Sequence, residues 1–364
     1  MHFETQLSTL VDEAYATNSS ALVILREGKT LVDEVFDGKG ERPIATMSVT
    51  KGILSLIVGR AVKLGYLPGS DVQVSDFFPE WRQGKKRNIT LRHLMTHTSG
   101  LQNQMTTAEE IYPAPDRLQL ALCAELEAEP GESFAYNNKA VMLIVGLLER
   151  ATGQKADAFA RAELFGPLGI EEWTWTTDEA GNPHGFADLF LRPSDLAKLG
   201  QAALDGGHGL ISQEWVQEST SSASDIEPSI GLLWWVLSAW TRYSIGPKQL
   251  ESLRQAGATA EQVATLERCQ GQNMTRAEML DSITAQGLVP QQLPQNAHWL
   301  AVERGPAVGF RHDGYLGQNL VVHREAGLVA VRMIDWSHPQ ADLPESSFPT
   351  FVDRVLELAI SKPV

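Results

Sequence analysis

The sequence predicts a mixed α/β (α+β) fold: one antiparallel sheet built from both chain ends and flanked by the terminal helices, with a mainly helical domain inserted between. Three observations carry this. Phe3, Leu7, Leu10, Val11 and Ala14 recur at helical spacing, and the runs Ala21–Leu25 and Thr30–Phe36 follow as a hairpin with Gly28 in the turn. The far end has the same parts in reverse order. Gln318–His323 and Leu328–Ile334 flank Glu325-Ala326-Gly327, and a helical pattern then runs from about Pro349 to Ile360, with Phe351, Val352, Val355, Leu356 and Ala359 on one face. Helix–hairpin and hairpin–helix pieces are most simply satisfied by one sheet with both helices on a single face.

Between the ends the elements follow in order. After Pro43 a long apolar helix spans Met47 to Leu64, and Lys139–Arg150 reads as another helix. Asp188–Leu204 is a helical region, with Pro193-Ser194-Asp195 at its start and Gly206-Gly207 beyond its end. From about Tyr243 to Pro294 the chain is polar and Gln-rich. Thr259 with Gln262, and Thr275 with Glu278, have capping-box spacing, and Gly257 and Gly287 suit helix C-termini, so three short helices are expected. The domain boundaries that follow are a sheet domain from 1–64 and 225–364, an inserted helical domain at 65–224, and an extra helical insertion at 243–294, a candidate lid.

Composition narrows the partners. The 364 residues carry 30 Lys+Arg against 45 Asp+Glu, a formal charge of −15, and 43% are hydrophobic. Such a chain can fill a core, but its acidic balance disfavours nucleic acid and anionic membranes, which need a basic surface. The start, Met1-His2-Phe3-Glu4-Thr5, has no basic n-region or apolar h-region, which predicts a cytoplasmic protein. Ala140–Leu148 and Ile53–Gly59 are far shorter than the ~20 residues of a membrane span. Cys123 and Cys269 are too few for a disulfide framework and read as two buried free thiols.

Three short patterns have chemical content. In Ser48-Val49-Thr50-Lys51 the lysine lies one helical turn from the serine, within reach of its hydroxyl. A serine at a helix N-terminus also has backbone N–H groups nearby for an oxyanion. For Lys51 to act as a base its pKa must fall from ~10.4 towards 7–8, which burial among Ile53, Leu54, Leu56 and Ile57 can supply. Tyr136-Asn137-Asn138 follows the turn-like Gly131–Phe134 and precedes a helix, so Tyr136 is placed to project into a cleft. Near a lysine it can be held as a phenolate and relay a proton. His312-Asp313-Gly314 enters the C-terminal hairpin: Gly314 would let a substrate approach the strand, and His312 would offer a hydrogen bond or positive charge.

The patterns occur in the order Ser-x-x-Lys, Tyr-x-Asn, His-x-Gly, each once. In this the chain resembles the serine β-lactamase and penicillin-binding-protein superfamily, in its class C-like branch. That branch includes class C β-lactamases, D-alanyl-D-alanine carboxypeptidases, D-aminopeptidases, family VIII esterases and 6-aminohexanoate-oligomer hydrolases. Thr90–Leu101 is similar to its "LLxHTSGL" segment, Phe165–Ile170 to its "PLGM" segment, and Arg192–Gly200 to its "S-x-x-D-L-A-x-F-G" helix.

The resemblance implies a β-lactamase/transpeptidase-like fold with Ser48 as nucleophile, Lys51 as its activating neighbour and Tyr136 as general base and acid. It makes Asn138 a ligand of substrate or Lys51, and His312 with Gly314 the third motif. The N–H groups of Ser48 and Tyr315 would form the oxyanion hole, and no cofactor or metal is implied. Many β-lactamases have Lys-Thr-Gly as third motif, so His312 weakens the case for binding a β-lactam carboxylate. The expected activity is serine hydrolysis of a small ester or amide, such as a D-residue peptide. The competing expectation is a catalytically silent relative that binds a ligand or protein through the cleft and the helical insertion. His93 and His97 have the i, i+4 spacing of zinc ligands but lack the H-E-x-x-H glutamate, so structural roles are expected.

Overall fold

The computed structural model describes residues 3–103, 107–289, 292–294 and 297–361; Met1, His2 and residues 290–291 of the expected insertion lie outside it. It divides into two compact units, one comprising 1–237, 309–348 and 354–364, the other 238–308 and 349–353. The stretch 65–224, expected as an inserted helical domain, falls in the first unit together with the main sheet.

The first unit is organised on that sheet. Its strands are β1 (Ala21–Arg26), β2 (Lys29–Val35), β6 (Trp235–Ser238), β9 (Ala307–Gly314), β10 (Gln318–His323) and β11 (Leu328–Met333), in the order β2-β1-β11-β10-β9-β6. A smaller sheet of β3 (Ile44–Ala45), β4 (Trp173–Trp175) and β5 (Leu189–Leu191) has the order β3-β5-β4. The two ends of the chain meet at the centre of the main sheet, where β1 pairs antiparallel with β11 from Ala21↔Met333 to Arg26↔Leu328. The first hairpin closes through Glu27 (φ 51) and Gly28 (φ 73), both left-handed, as a two-residue turn with right-handed strand twist requires.

Strand alternation divides the buried side chains between two faces. Val23, Leu320, Val322, Val329 and Val331 join the main core, into which the helix Pro193–Leu204 packs across β1, β10 and β11. Gly200 permits this approach, since a Cβ there would lie 2.8 Å from both Leu320 and Val329. Leu22, Ile24, Val321, Leu328 and Ala330 are buried on the opposite face. That face carries Arg332, which is fully buried and donates to Ser19 Oγ (2.8 Å) and to the carbonyls of Thr17 (2.9 Å), Ser346 (2.8 Å), Leu316 (2.9 Å) and Gly317 (2.9 Å). The terminal helices, Phe3–Ala16 and Phe351–Ile360, are joined by Arg354, whose guanidinium grips the Glu13 carboxylate at 2.6 and 2.9 Å.

Two details differ from the sequence expectation. The region expected to be helical from Asp188 is strand over Leu189–Leu191, because this short run pairs with β3 and β4; the helix starts at Pro193, whose fixed φ suits a first turn. Cys123 is exposed rather than buried, since it ends the short helix Arg117–Cys123 whose buried positions are Arg117, Ala121 and Leu122; Cys269 is buried as expected.

The second unit holds the three expected helices, Pro247–Gln255, Ala260–Glu267 and Arg276–Thr284. Thr259 and Thr275 form the capping boxes, with Thr259 N donating to Gln262 Oε1 (2.8 Å) and Thr275 N to Glu278 Oε2 (2.7 Å). The helices close on their own apolar core of Ile245, Leu250, Leu253, Leu266, Cys269 and Ile283 among others. A ladder of β7 (Thr241–Ser244) with β8 (Ala301–Arg304), which the polar composition did not announce, ties the two ends of this segment together. Among the described residues no helix is long and apolar enough to cross a membrane.

Candidate active site

Ser48 is the N-cap of the helix Val49–Lys63. The residue before it, Met47, has φ 48, a left-handed conformation that costs a side-chain-bearing residue energy and that tends to occur at functional turns. The turn is pinned by Thr46, whose N and Oγ1 both donate to Leu189 O (2.8 and 2.9 Å) and whose hydroxyl shares a 2.8 Å hydrogen bond with Thr50. One helical turn on, Lys51 is fully buried; its Nζ donates to Ser48 Oγ (3.1 Å) and Phe186 O (2.8 Å). Burial pushes the amine down to about 7, against the opposing pull of Asp188. The helix next to the lysine is packed tightly because Gly52 admits the buried Trp234 ring, which a Cβ would meet at 2.8 Å.

Tyr136 stands where the sequence places it, in the loop that enters the helix Asn138–Thr152. Asn137 caps that helix, its Oδ1 accepting from Lys139 N (2.9 Å) and Ala140 N (3.2 Å). The Tyr136 hydroxyl is hydrogen-bonded to Ser48, and its ring lies 4.7 Å from Lys51 Nζ. His97 backs it at 4.5 Å between centroids and Trp235 stacks parallel at 6.4 Å. Burial raises the phenol above its ordinary range. The resting tyrosine therefore keeps its proton, and Lys51, not a phenolate, is the group able to be neutral near pH 7.

The period of two along β9 puts Phe310, His312 and Gly314 on one face. His312 is buried, and its Nδ1 is 2.8 Å from Asp313 O. A carbonyl only accepts, so Nδ1 carries the proton and Nε2 is left as an acceptor. Burial lowers this histidine to about 4, so it is neutral at pH 7 and supplies no positive charge, in contrast to the sequence expectation. The neighbouring Arg311 is tied to Asp313. Gly314 abuts the nucleophile turn: a Cβ would fall 2.9 Å from both Ser48 N and Met47 Cβ and 3.0 Å from Thr46 O. The room made by this glycine is filled by the chain's own backbone, where the sequence suggested a substrate.

Ser48, Lys51, Tyr136, His312 and Gly314 are thus brought together. Asn138 is the first residue of its helix and half-buried. The Tyr315 side chain is exposed and donates to Asp342 (3.0 Å). His97 has the structural role expected of it, its Nδ1 accepting from Asn137 N (3.1 Å); the supports that sequence reasoning missed are Trp235 and the Phe186–Asp188 loop. His97 lies inside the "HTSGL"-like segment, the one signal that marked its place. His93 is a capping residue, its Nδ1 accepting from Thr90 N (3.2 Å).

The chain and its fold have relatives among known proteins. The Beta-lactamase family matches residues 7–347. The chain belongs to the Beta-lactamase family. Within that family it is 31% identical over 185 residues to esterase EstB of Burkholderia gladioli, an alignment covering 44% of this chain and 46% of the esterase. The chain therefore matches less than half the length of that curated relative. Two solved structures share the fold: EstCE1, a hydrolase with promiscuous acyltransferase activity (TM-score 0.58, 14% identity, 98% of each chain), and a penicillin-binding protein from Bacillus halodurans (TM-score 0.59, 14% identity, 93% of this chain and 97% of that one).

Proposed function

We propose that the protein is a serine hydrolase that cleaves small carboxylic esters or amides through an acyl-enzyme on Ser48. The observation that carries this is the Ser48–Lys51 pair: a fully buried amine, brought to about 7 by burial, 3.1 Å from a hydroxyl at a helix N-terminus. A lysine buried in this way has lost more in hydration than the opposing pull of Asp188 returns, which suits a base and is costly for a purely structural residue.

The neutral Lys51 amine takes the Ser48 proton as Oγ bonds to the substrate carbonyl carbon. The carbonyl oxygen becomes an oxyanion, and the N–H groups of Ser48 and Tyr315 are the donors offered to it, since Gly314 lets β9 run against the nucleophile turn. As the intermediate collapses, the carbon–leaving-group bond breaks and the departing oxygen or nitrogen takes a proton from the Tyr136 phenol. Tyr136 regains one from the Lys51 ammonium. Water then attacks the acyl carbon, giving its proton to the same pair, and Ser48 leaves with a proton restored. His312 is neutral and Arg311 engaged, so no fixed cation of the third motif is offered to a β-lactam carboxylate; uncharged esters and amides are favoured.

A fluorophosphonate probe followed by intact-mass measurement tests this. One adduct is expected on the wild type and none on Ser48→Ala; an unlabelled wild type, or equal labelling of the variant, would refute it. A parallel panel of p-nitrophenyl esters, D-amino-acid anilides and a chromogenic cephalosporin should show turnover of the first two classes above the third.

A further inference from the structure

The loop that supplies the Phe186 carbonyl to Lys51 contains a second arrangement that the steps above leave unused. Asp188 has φ 61, the left-handed region, where aspartate is tolerated at a cost that glycine avoids. Its carboxylate lies 2.7 Å from His184 Nδ1 and also accepts from the Tyr112 hydroxyl. His184 is buried, and its Nε2 is engaged by Arg117, itself buried and anchored on the carbonyls of Ile111 (2.9 Å) and Tyr112 (2.6 Å). A guanidinium only donates, so Nε2 accepts and Nδ1 carries the proton towards Asp188. His184 and Phe186 rings stack at 5.9 Å and 2°, and Tyr112 packs edge-on against both, so the loop is held as one piece.

Asp188 lies two residues from Phe186, whose carbonyl accepts from Lys51 Nζ (2.8 Å), and its carboxylate acts electrostatically on that amine. Other titratable groups around the lysine are Tyr136, His97 and His312, with Asp313 acting on Tyr136 and His312. Burial keeps Tyr136 protonated and both histidines neutral, so none of the three supplies a charge to the lysine near neutral pH.

We propose that Asp188 is a positioning residue of the reaction, fixed by His184, Arg117 and Tyr112 so that its carboxylate offsets the burial of Lys51 and lets the amine hold a proton long enough to return it. The proposal rests on the Ser48–Lys51 reading given above. Burial alone makes a lysine that releases its proton readily and regains it poorly; a nearby fixed negative charge balances the two halves of the cycle.

The test is the pH dependence of kcat/KM for a p-nitrophenyl ester in wild type, Asp188→Asn and Asp188→Gly. Asparagine also tolerates the left-handed conformation and keeps the shape, while glycine removes both the charge and the backbone cost. Both variants are expected to move the acid limb to lower pH by about one unit. An acid limb that superimposes on the wild type in both variants, with activity lowered equally at every pH, would mean that Asp188 only braces the loop, and the proposal falls. Ser48 labelling of the wild type separates the two claims. A labelled serine with an unmoved limb overturns the role of Asp188 alone, whereas an unlabelled serine overturns both.

Discussion

Replacing Lys51 by methionine is expected to stabilise the fold while ending catalysis. In the unfolded chain the amine is charged up to about 10.5, whereas in the fold it loses its charge at about 7. Between those values the unfolded chain binds a proton that the folded chain does not. Stability therefore rises with pH across this window and levels off above it. At roughly 1.4 kcal/mol per tenfold change in the protonation equilibrium, keeping this amine buried at pH 7 costs about 4 kcal/mol. Methionine is of similar length, carries no charge and fills the same space. The variant loses the hydrogen bonds to Phe186 O and Ser48 Oγ, an offset of about 1–2 kcal/mol. The net expectation is a variant more stable at pH 7 by on the order of 2–3 kcal/mol. Urea unfolding of both proteins near pH 7 and about pH 9.5 measures it, because the difference between them isolates residue 51 and should shrink at the higher pH. A variant no more stable than the wild type at pH 7, or a difference that does not change with pH, would refute the argument.

Other expectations follow from neighbouring groups. Gly314→Ala places a Cβ 2.9 Å from Ser48 N, so β9 must retreat by about 0.5 Å to reach ordinary contact; kcat/KM should fall about 100-fold or more with a stability loss of roughly 1–3 kcal/mol, and activity within threefold of wild type would count against the oxyanion role. In the wild type, kcat/KM should rise with pH through about 7 as Lys51 becomes neutral, with no step from His312, which titrates at about 4; a profile flat across this range would exclude Lys51 as the base. Arg332→Met removes the donor to four carbonyls and should cost about 3–5 kcal/mol in urea unfolding. Thr275→Ala, which removes a capping box, should raise amide exchange in Arg276–Thr284 with a local loss of about 1 kcal/mol.

What was legible in the sequence was whatever local physics determines. The terminal hairpins, the capped helices of the 243–294 segment, and the serine and lysine one turn apart all follow from periods and caps within a few residues. The strand Leu189–Leu191 was not legible, because three residues have no period of their own and become a strand only by pairing with β3 and β4. The neutrality of His312 was equally hidden, since it depends on burial and on a carbonyl one residue away. Asp188 was invisible as a site residue for the same kind of reason: its conformation and its partners His184, Tyr112 and Arg117 are set by the folded loop, not by any spacing.

The pairing of β1 with β11 has a consequence for how the molecule is made. On the β11 side Ala21 pairs with Met333, so closing that contact from an open chain carries an entropic cost of roughly 5 kcal/mol. The helix that begins after Ser48 is synthesised early, but the strand that abuts its N-terminus, β9, emerges only after residue 307. No partial chain released from the ribosome before that point contains the cluster, and until β10 and β11 arrive the apolar strand β1 has only β2 beside it. Slow refolding and a requirement for protection of that edge during synthesis are the natural counterparts of a site assembled from opposite ends of the chain.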